Sequence, residues 1–86
     1  MLTLSRFYVI LDADFMAHRG VSVQWFAQQM RDAGVTLLQY RDKHGSPQQI
    51  LNNAAIISEV FAGVDCTLIL NDRADLAKLA GWHGVH

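Results

Sequence analysis

Gly34-Val35-Thr36-Leu37-Leu38-Gln39-Tyr40-Arg41-Asp42-Lys43 runs from a glycine through an apolar stretch into a polar one. Val35-Thr36-Leu37-Leu38-Gln39 has the composition of a buried strand, and Gly34 before it is suited to end a helix in the left-handed conformation. A strand that starts where a helix stops belongs to a βαβ unit rather than to a hairpin, and so to a parallel sheet. The helix itself lies just upstream. Ser22 can cap it, and Val23, Phe26, Ala27 and Met30 recur at the spacing of one helical face. Before it, Phe7-Tyr8-Val9-Ile10-Leu11 reads as a first strand that ends in the polar Asp12-Ala13-Asp14.

Downstream the pattern repeats. Ser46-Pro47-Gln48-Gln49 combines a capping hydroxyl, a proline in the first turn and a glutamine at the third helical position. Ile50, Ala54, Ile57 and Phe61 form the apolar stripe of that helix, and Gly63 closes it. Cys66-Thr67-Leu68-Ile69-Leu70 supplies a third strand, and Asn71 or Asp72 can cap a short third helix through Leu76, Ala77 and Ala80 to Gly81. Trp82-His83-Gly84-Val85-His86 opens a fourth strand. Strand centres recur at roughly 30 residues, the length of one βαβ repeat. The expected class is α/β, either an open doubly wound sheet or part of a (β/α)₈ barrel, and periodicity does not choose between them. As a barrel, the chain would hold the first three βα units and the start of strand four. Its outer strands would then be open edges through which copies could self-associate.

Composition narrows the function classes. The chain has 86 residues, of which 51% are hydrophobic and 17% charged, with a single Pro, so it is a folding sequence and too short for two domains. A net charge of −1 gives no general field for a nucleic-acid backbone or an anionic membrane, and only a local cationic cluster could hold phosphate. The lone Cys66 permits no internal disulfide, which suits a reducing cytoplasm, and its position in an apolar run reads as core. Residues 1–6 lack the layout of an export signal, and no apolar run approaches the ~20 residues that span a bilayer.

In an α/β fold of either kind, ligands bind at the carboxyl ends of the strands. Three polar segments fall there: Asp12-Ala13-Asp14, Gln39-Tyr40-Arg41-Asp42-Lys43 and Asn71-Asp72-Arg73. Gln39, Arg41 and Lys43 share strand parity. If extension persists to Lys43, an amide, a guanidinium and an ammonium converge on one side as a site for a phosphorylated ligand. Two cations do not neutralise a diphosphate of about −3, which calls for a divalent ion such as Mg²⁺. Asp72 could ligate it, with Asn71 as a neutral hydrogen-bonding neighbour. The plainer alternatives are that Asn71 and Asp72 only cap a helix, and that Arg41-Asp42-Lys43 is a solvated turn. Asp12 and Asp14 read first as a solvated loop, His18 and His44 as loop residues, and His83 and His86 show no zinc-ligand spacing. Met16, Met30, Trp25 and Trp82 read as packing or exposed helix positions.

Taken together, Tyr8-Val9-Ile10-Leu11-Asp12, the stretch from Gly34 to Lys43, Leu70-Asn71-Asp72-Arg73-Ala74-Asp75-Leu76-Ala77 and Gly84-Val85-His86 resemble the thiamine-phosphate synthase family over essentially the whole chain. The Gln-x-Arg-x-Lys segment is specific when Asn-Asp-Arg and then Gly-Val-His follow it. The resemblance implies a (β/α)₈ barrel that joins hydroxymethylpyrimidine diphosphate to thiazole phosphate, giving thiamine phosphate and diphosphate. It implies that Gln39, Arg41, Lys43 and Asn71 bind the pyrimidine diphosphate and that Asp72 ligates Mg²⁺. The implied chemistry is dissociative. Diphosphate leaves a stabilised pyrimidine-methyl cation that the thiazole nitrogen captures, while cationic groups stabilise the leaving charge.

There are two departures from the family pattern, the first conservative and the second decisive for activity. Asp42 stands where the family often has Glu. The Gly-Gln-Glu-Asp that follows Gly-Val-His in the family, with its second metal ligand, is not in the sequence, nor are the later strands. Residues 1–86 are therefore expected to be an N-terminal fragment of a single barrel domain, catalytically silent by itself. Two other readings are a thiazole tautomerase-like relative, against which the set Gln39, Arg41, Lys43, Asn71 and Asp72 speaks, and a non-enzymatic half-barrel that binds phosphorylated ligands or dimerises.

Overall fold

The computed structural model describes residues 8–71, 80–82, 84 and 85. Four parallel strands, β1 (Tyr8–Asp12), β2 (Leu37–Arg41), β3 (Thr67–Leu70) and β4 (Gly84–Val85), lie side by side in chain order. Helices α1 (Ala13–Arg19) and α2 (Val23–Asp32) connect the first pair, and α3 (Pro47–Val60) connects the second. The fold is thus α/β with a parallel sheet, as expected. Most of the third expected helix, through Leu76 and Ala77, falls on residues 72–79, which lie outside the described residues; Ala80 is helical and Gly81 left-handed, as expected of its end.

Helix α1 corrects the sequence reading, which placed a loop at Asp12-Ala13-Asp14 and put His18 in a loop as well. Asp12 Oδ1 accepts from the backbone amides of Asp14 at 2.9 Å and Phe15 at 3.2 Å, the geometry of a helix N-cap. Gly20 ends the helix in the left-handed conformation, and Met16 is its one buried side chain. Seven residues that bury one side chain carry no periodic signal.

Strand β2 also begins two residues later than Val35. The Val35 amide donates to Met30 O and the Gly34 amide to Arg31 O, so both close the last turn of α2 and neither is free for a ladder. At its other end the strand extends to Arg41, which pairs with Asp12 of β1. The helix read from Ser46 is α3: Ser46 Oγ accepts from the Gln49 amide at 3.1 Å, Pro47 sits in the first turn, and Ile50, Ala54 and Ile57 are buried, while Phe61, also buried, is the C-cap beyond the last helical residue.

Register sorts the strand side chains into two faces. Leu11, Leu38, Tyr40, Leu68 and Leu70 lie on one face and form the core with Ala27 of α2 and Ile50, Ala54 and Ile57 of α3. On the other face Tyr8 pairs with Leu37, which pairs with Thr67, and Ile10 pairs with Gln39, which pairs with Ile69. Tyr8 and Ile10 are 42% and 46% exposed there. With strands in chain order and right-handed crossovers, successive helices fall on the same side, which leaves the second face without a helical layer among the described residues. Trp82 packs edge-on against Tyr40 at 6.3 Å and donates to Ser58 Oγ, confirming it as a packing residue, whereas Trp25 is an exposed helix position. No helix among the described residues is long and apolar enough to cross a membrane.

Candidate functional site

The carboxyl ends of β1, β2 and β3 lie together. Asp12 and Arg41 are register partners, and the Asn71 amide donates to Tyr40 O at 3.0 Å, which sets Asn71 beside the same edge. The three polar segments singled out in sequence therefore meet at one rim, as far as Asn71; Asp72 and Arg73 lie outside the described residues, as do His83 and His86.

Gln39 and Arg41 stand on the face of β2 that points away from the helices. Gln39 is 4% exposed, and its Oε1 accepts from the Tyr8 hydroxyl on β1. The Arg41 Nε is buried, and among the described residues it has no hydrogen-bond partner. A buried guanidinium N–H without an acceptor is costly unless something supplies one. Lys43 departs from the expected geometry. The strand ends at Arg41 and Lys43 lies exposed in the bend beyond it, so alternation does not carry as far as its position.

Tyr40 and Asp42 hold that bend from the helix side. The buried Tyr40 hydroxyl donates to Asp42 Oδ2 at 3.0 Å and accepts from Asn53 Nδ2 of α3 at 2.8 Å. Asp42 Oδ1 accepts from the amides of Gly45 at 2.8 Å and His44 at 3.3 Å. Burial, reinforced by the Asp42 and Asp14 charges against the opposing Asn53 bond, pushes the Tyr40 phenol well above its usual range. This phenol is a hydrogen-bonding tether, not an acid or base. His44 Nδ1 lies 2.9 Å from Asp14 Oδ2, which ties the bend after β2 to helix α1. Asp12 and Asp14 are thus a cap and a loop tie. The Cys66 thiol is pushed up by burial and by Asp65, which leaves it a core group.

Sequence reading named Gln39, Arg41 and Asn71 but missed Tyr8, Tyr40, Asn53 and Gly45. Asp42-Lys43-His44-Gly45 carries the signal of an Asp-initiated turn closed by glycine and could have been found. Tyr8 and Asn53 reach the site only through register and packing. Of the carboxylates described at this rim, Asp12 caps α1, Asp42 accepts from three donors and Asp14 meets His44. No group of three or more His, Cys, Asp or Glu side chains suited to a metal occurs among the described residues.

Comparison with known proteins bears on this rim. The family model of thiamine monophosphate synthase matches residues 7–86. The thiamine-phosphate synthase of Koribacter versatilis is 46% identical over 87 aligned residues, covering 99% of this chain and 41% of that protein. Thiamine-phosphate synthases of Agrobacterium fabrum and Chloroflexus aurantiacus are 49% and 35% identical, over 62% and 94% of this chain and 24% and 37% of their own lengths. The chain thus spans about two fifths, or less, of these relatives. A match through strand, crossover and rim alike, from residue 7 to residue 86, means that the chain belongs to the thiamine monophosphate synthase family.

Proposed function

We propose that this chain contributes the pyrimidine-diphosphate half of a thiamine-phosphate synthase site on the first part of a (β/α)₈ barrel. The enzyme would join hydroxymethylpyrimidine diphosphate to thiazole phosphate and release diphosphate. The observation that carries this is Arg41: a buried Nε–H without an acceptor among the described residues, at a strand's carboxyl end, two residues beyond the buried Gln39. An anionic oxygen is the partner such a group lacks.

The barrel reading is supported by strand order. A doubly wound sheet reverses its order at a switch point and buries both faces, whereas here the order runs β1 to β4 and the face with Tyr8 and Ile10 stays open. In a barrel that face would line the interior once further strands closed it.

In this reading Gln39, Arg41, Lys43 and Asn71 hold the substrate's diphosphate end. Arg41 contributes a fixed planar donor and Lys43 a mobile charge, so that charge gathering on the departing diphosphate meets donors already in place. Mg²⁺ would add charge neutralisation, held through Asp72, the carboxylate that the family resemblance names for it. A cytoplasmic location goes with the same reading, given the single thiol of Cys66.

The test is calorimetric titration of hydroxymethylpyrimidine diphosphate with Mg²⁺ into the chain and its Arg41→Met variant. Loss of a charge-assisted contact predicts weakening of about 10- to 100-fold. Equal affinity of the two proteins overturns the reading. Asp72→Asn is expected to remove the Mg²⁺ dependence of binding while leaving metal-free binding as it was.

A further inference from the structure

Tyr8 stands one rung below Gln39 on the neighbouring strand, because β1 and β2 pair Tyr8 with Leu37 and Ile10 with Gln39. Its hydroxyl crosses that diagonal and donates to Gln39 Oε1. A primary amide has one accepting end and one end with two N–H donors, and with Tyr8 donating to the first, the second is turned away from Tyr8 and free for another acceptor. Gln39 is 4% exposed, so bulk water does not compensate a wrong orientation. The flipped amide would set a carbonyl oxygen against an anionic ligand and repel it.

We propose that Tyr8 is a positioning residue for the candidate site, its hydroxyl locking the Gln39 amide so that this face of β2 offers N–H donors to a phosphorylated ligand. The inference rests on the reading of Gln39 as ligand-binding given above. Tyr8 acts through Gln39 and does not itself touch the ligand. It lies toward the amino end of its strand, on the open face, and its ring is half exposed, so removing the hydroxyl alone leaves packing unchanged.

The experiment is a double-mutant cycle on the full 86-residue chain, with Tyr8→Phe, Gln39→Leu and both together, titrated with hydroxymethylpyrimidine diphosphate in Mg²⁺. Tyr8→Phe is expected to weaken binding about two- to tenfold, the worth of one net hydrogen bond, and to have no effect once Gln39 is Leu. In the ligand-free protein, the Gln39 side-chain amide resonances should shift in Tyr8→Phe while the backbone spectrum stays dispersed, which shows that the variant folds. Unchanged affinity in Tyr8→Phe overturns the proposal, as does the same loss in the Gln39→Leu background, which would make Tyr8 a direct contact. In either case wild-type binding stays intact. If the wild-type chain itself binds nothing, the ligand reading of Gln39 falls and takes this proposal with it.

Discussion

Asp42 shows how much one side chain settles. Its carboxylate accepts from the Tyr40 hydroxyl and from two backbone amides, so it shapes residues 42–45 just after Arg41 leaves the strand. Gly45 is required there for space, not for an unusual φ: a Cβ would come 2.7 Å from Asp42 Cγ. Gly45→Ala must therefore break the Asp42 turn or shift it, and a loss of about 1–3 kcal/mol is expected in urea unfolding. Tyr40→Phe removes the donor to Asp42 and the acceptor of Asn53 together, and about 1–3 kcal/mol should be lost in the same measurement. Tyr40 also sets a pH response. Its phenol titrates higher in the folded chain than unfolded, so the unfolded chain loses its proton first as pH rises. The stability tied to neutral Tyr40 is complete below the ordinary phenol value near 10 and is lost above it. Unfolding followed from pH 8 to 11 should show a decline that Tyr40→Phe makes shallower.

Among the elements, helix α2 and strand β2 show how a cap fixes a boundary. The left-handed turn at Gly34, with φ of 85°, lets the amides of Gly34 and Val35 close the helix, and this delays the start of the strand to Leu37. A Cβ at Gly34 meets no atom within 4 Å, so Gly34→Ala costs only the conformational penalty of about 1–2 kcal/mol, measurable in urea. Comparing the alanine variants of Gly34 and Gly45 separates the two reasons for glycine. Gly34→Asn should recover part of the loss because Asn tolerates the left-handed region, whereas Gly45→Asn should not. The helices read from caps and stripes, α2 and α3, lie where their Ser22 and Ser46 signals put them. Helix α1 was not read because its seven residues are too few to show a stripe, although Asp12 and Gly20 mark both its ends.

For the whole molecule, the sheet order matters most. Parallel strands in chain order with α2 and α3 packed on one face leave the rows of Tyr8 with Leu37 and Ile10 with Gln39 on the other, where Tyr8 and Ile10 stay open to solvent. The chain spans 41% of its Koribacter versatilis relative, and the residues proposed to hold substrate all come from these first strands. The expected outcome of an assay with both substrates and Mg²⁺ is no thiamine phosphate from these 86 residues alone, detected by product chromatography. Robust turnover would show that strands beyond β4 are not needed.

The sequence by itself determined what is local. Apolar runs, the Ser22 and Ser46 caps, Gly34 and the roughly 30-residue repeat specify strands, helices and a parallel sheet, because each depends on neighbours within a turn or two. It also placed Gln39 and Arg41 on one strand face, since parity is a property of the strand alone. Only the tertiary structure decided which strands adjoin, that Tyr8 reaches Gln39, that His44 meets Asp14 and that Asn53 holds Tyr40. Those pairs lie 13 to 31 residues apart, and their meeting follows from register and helix packing, which no local pattern encodes.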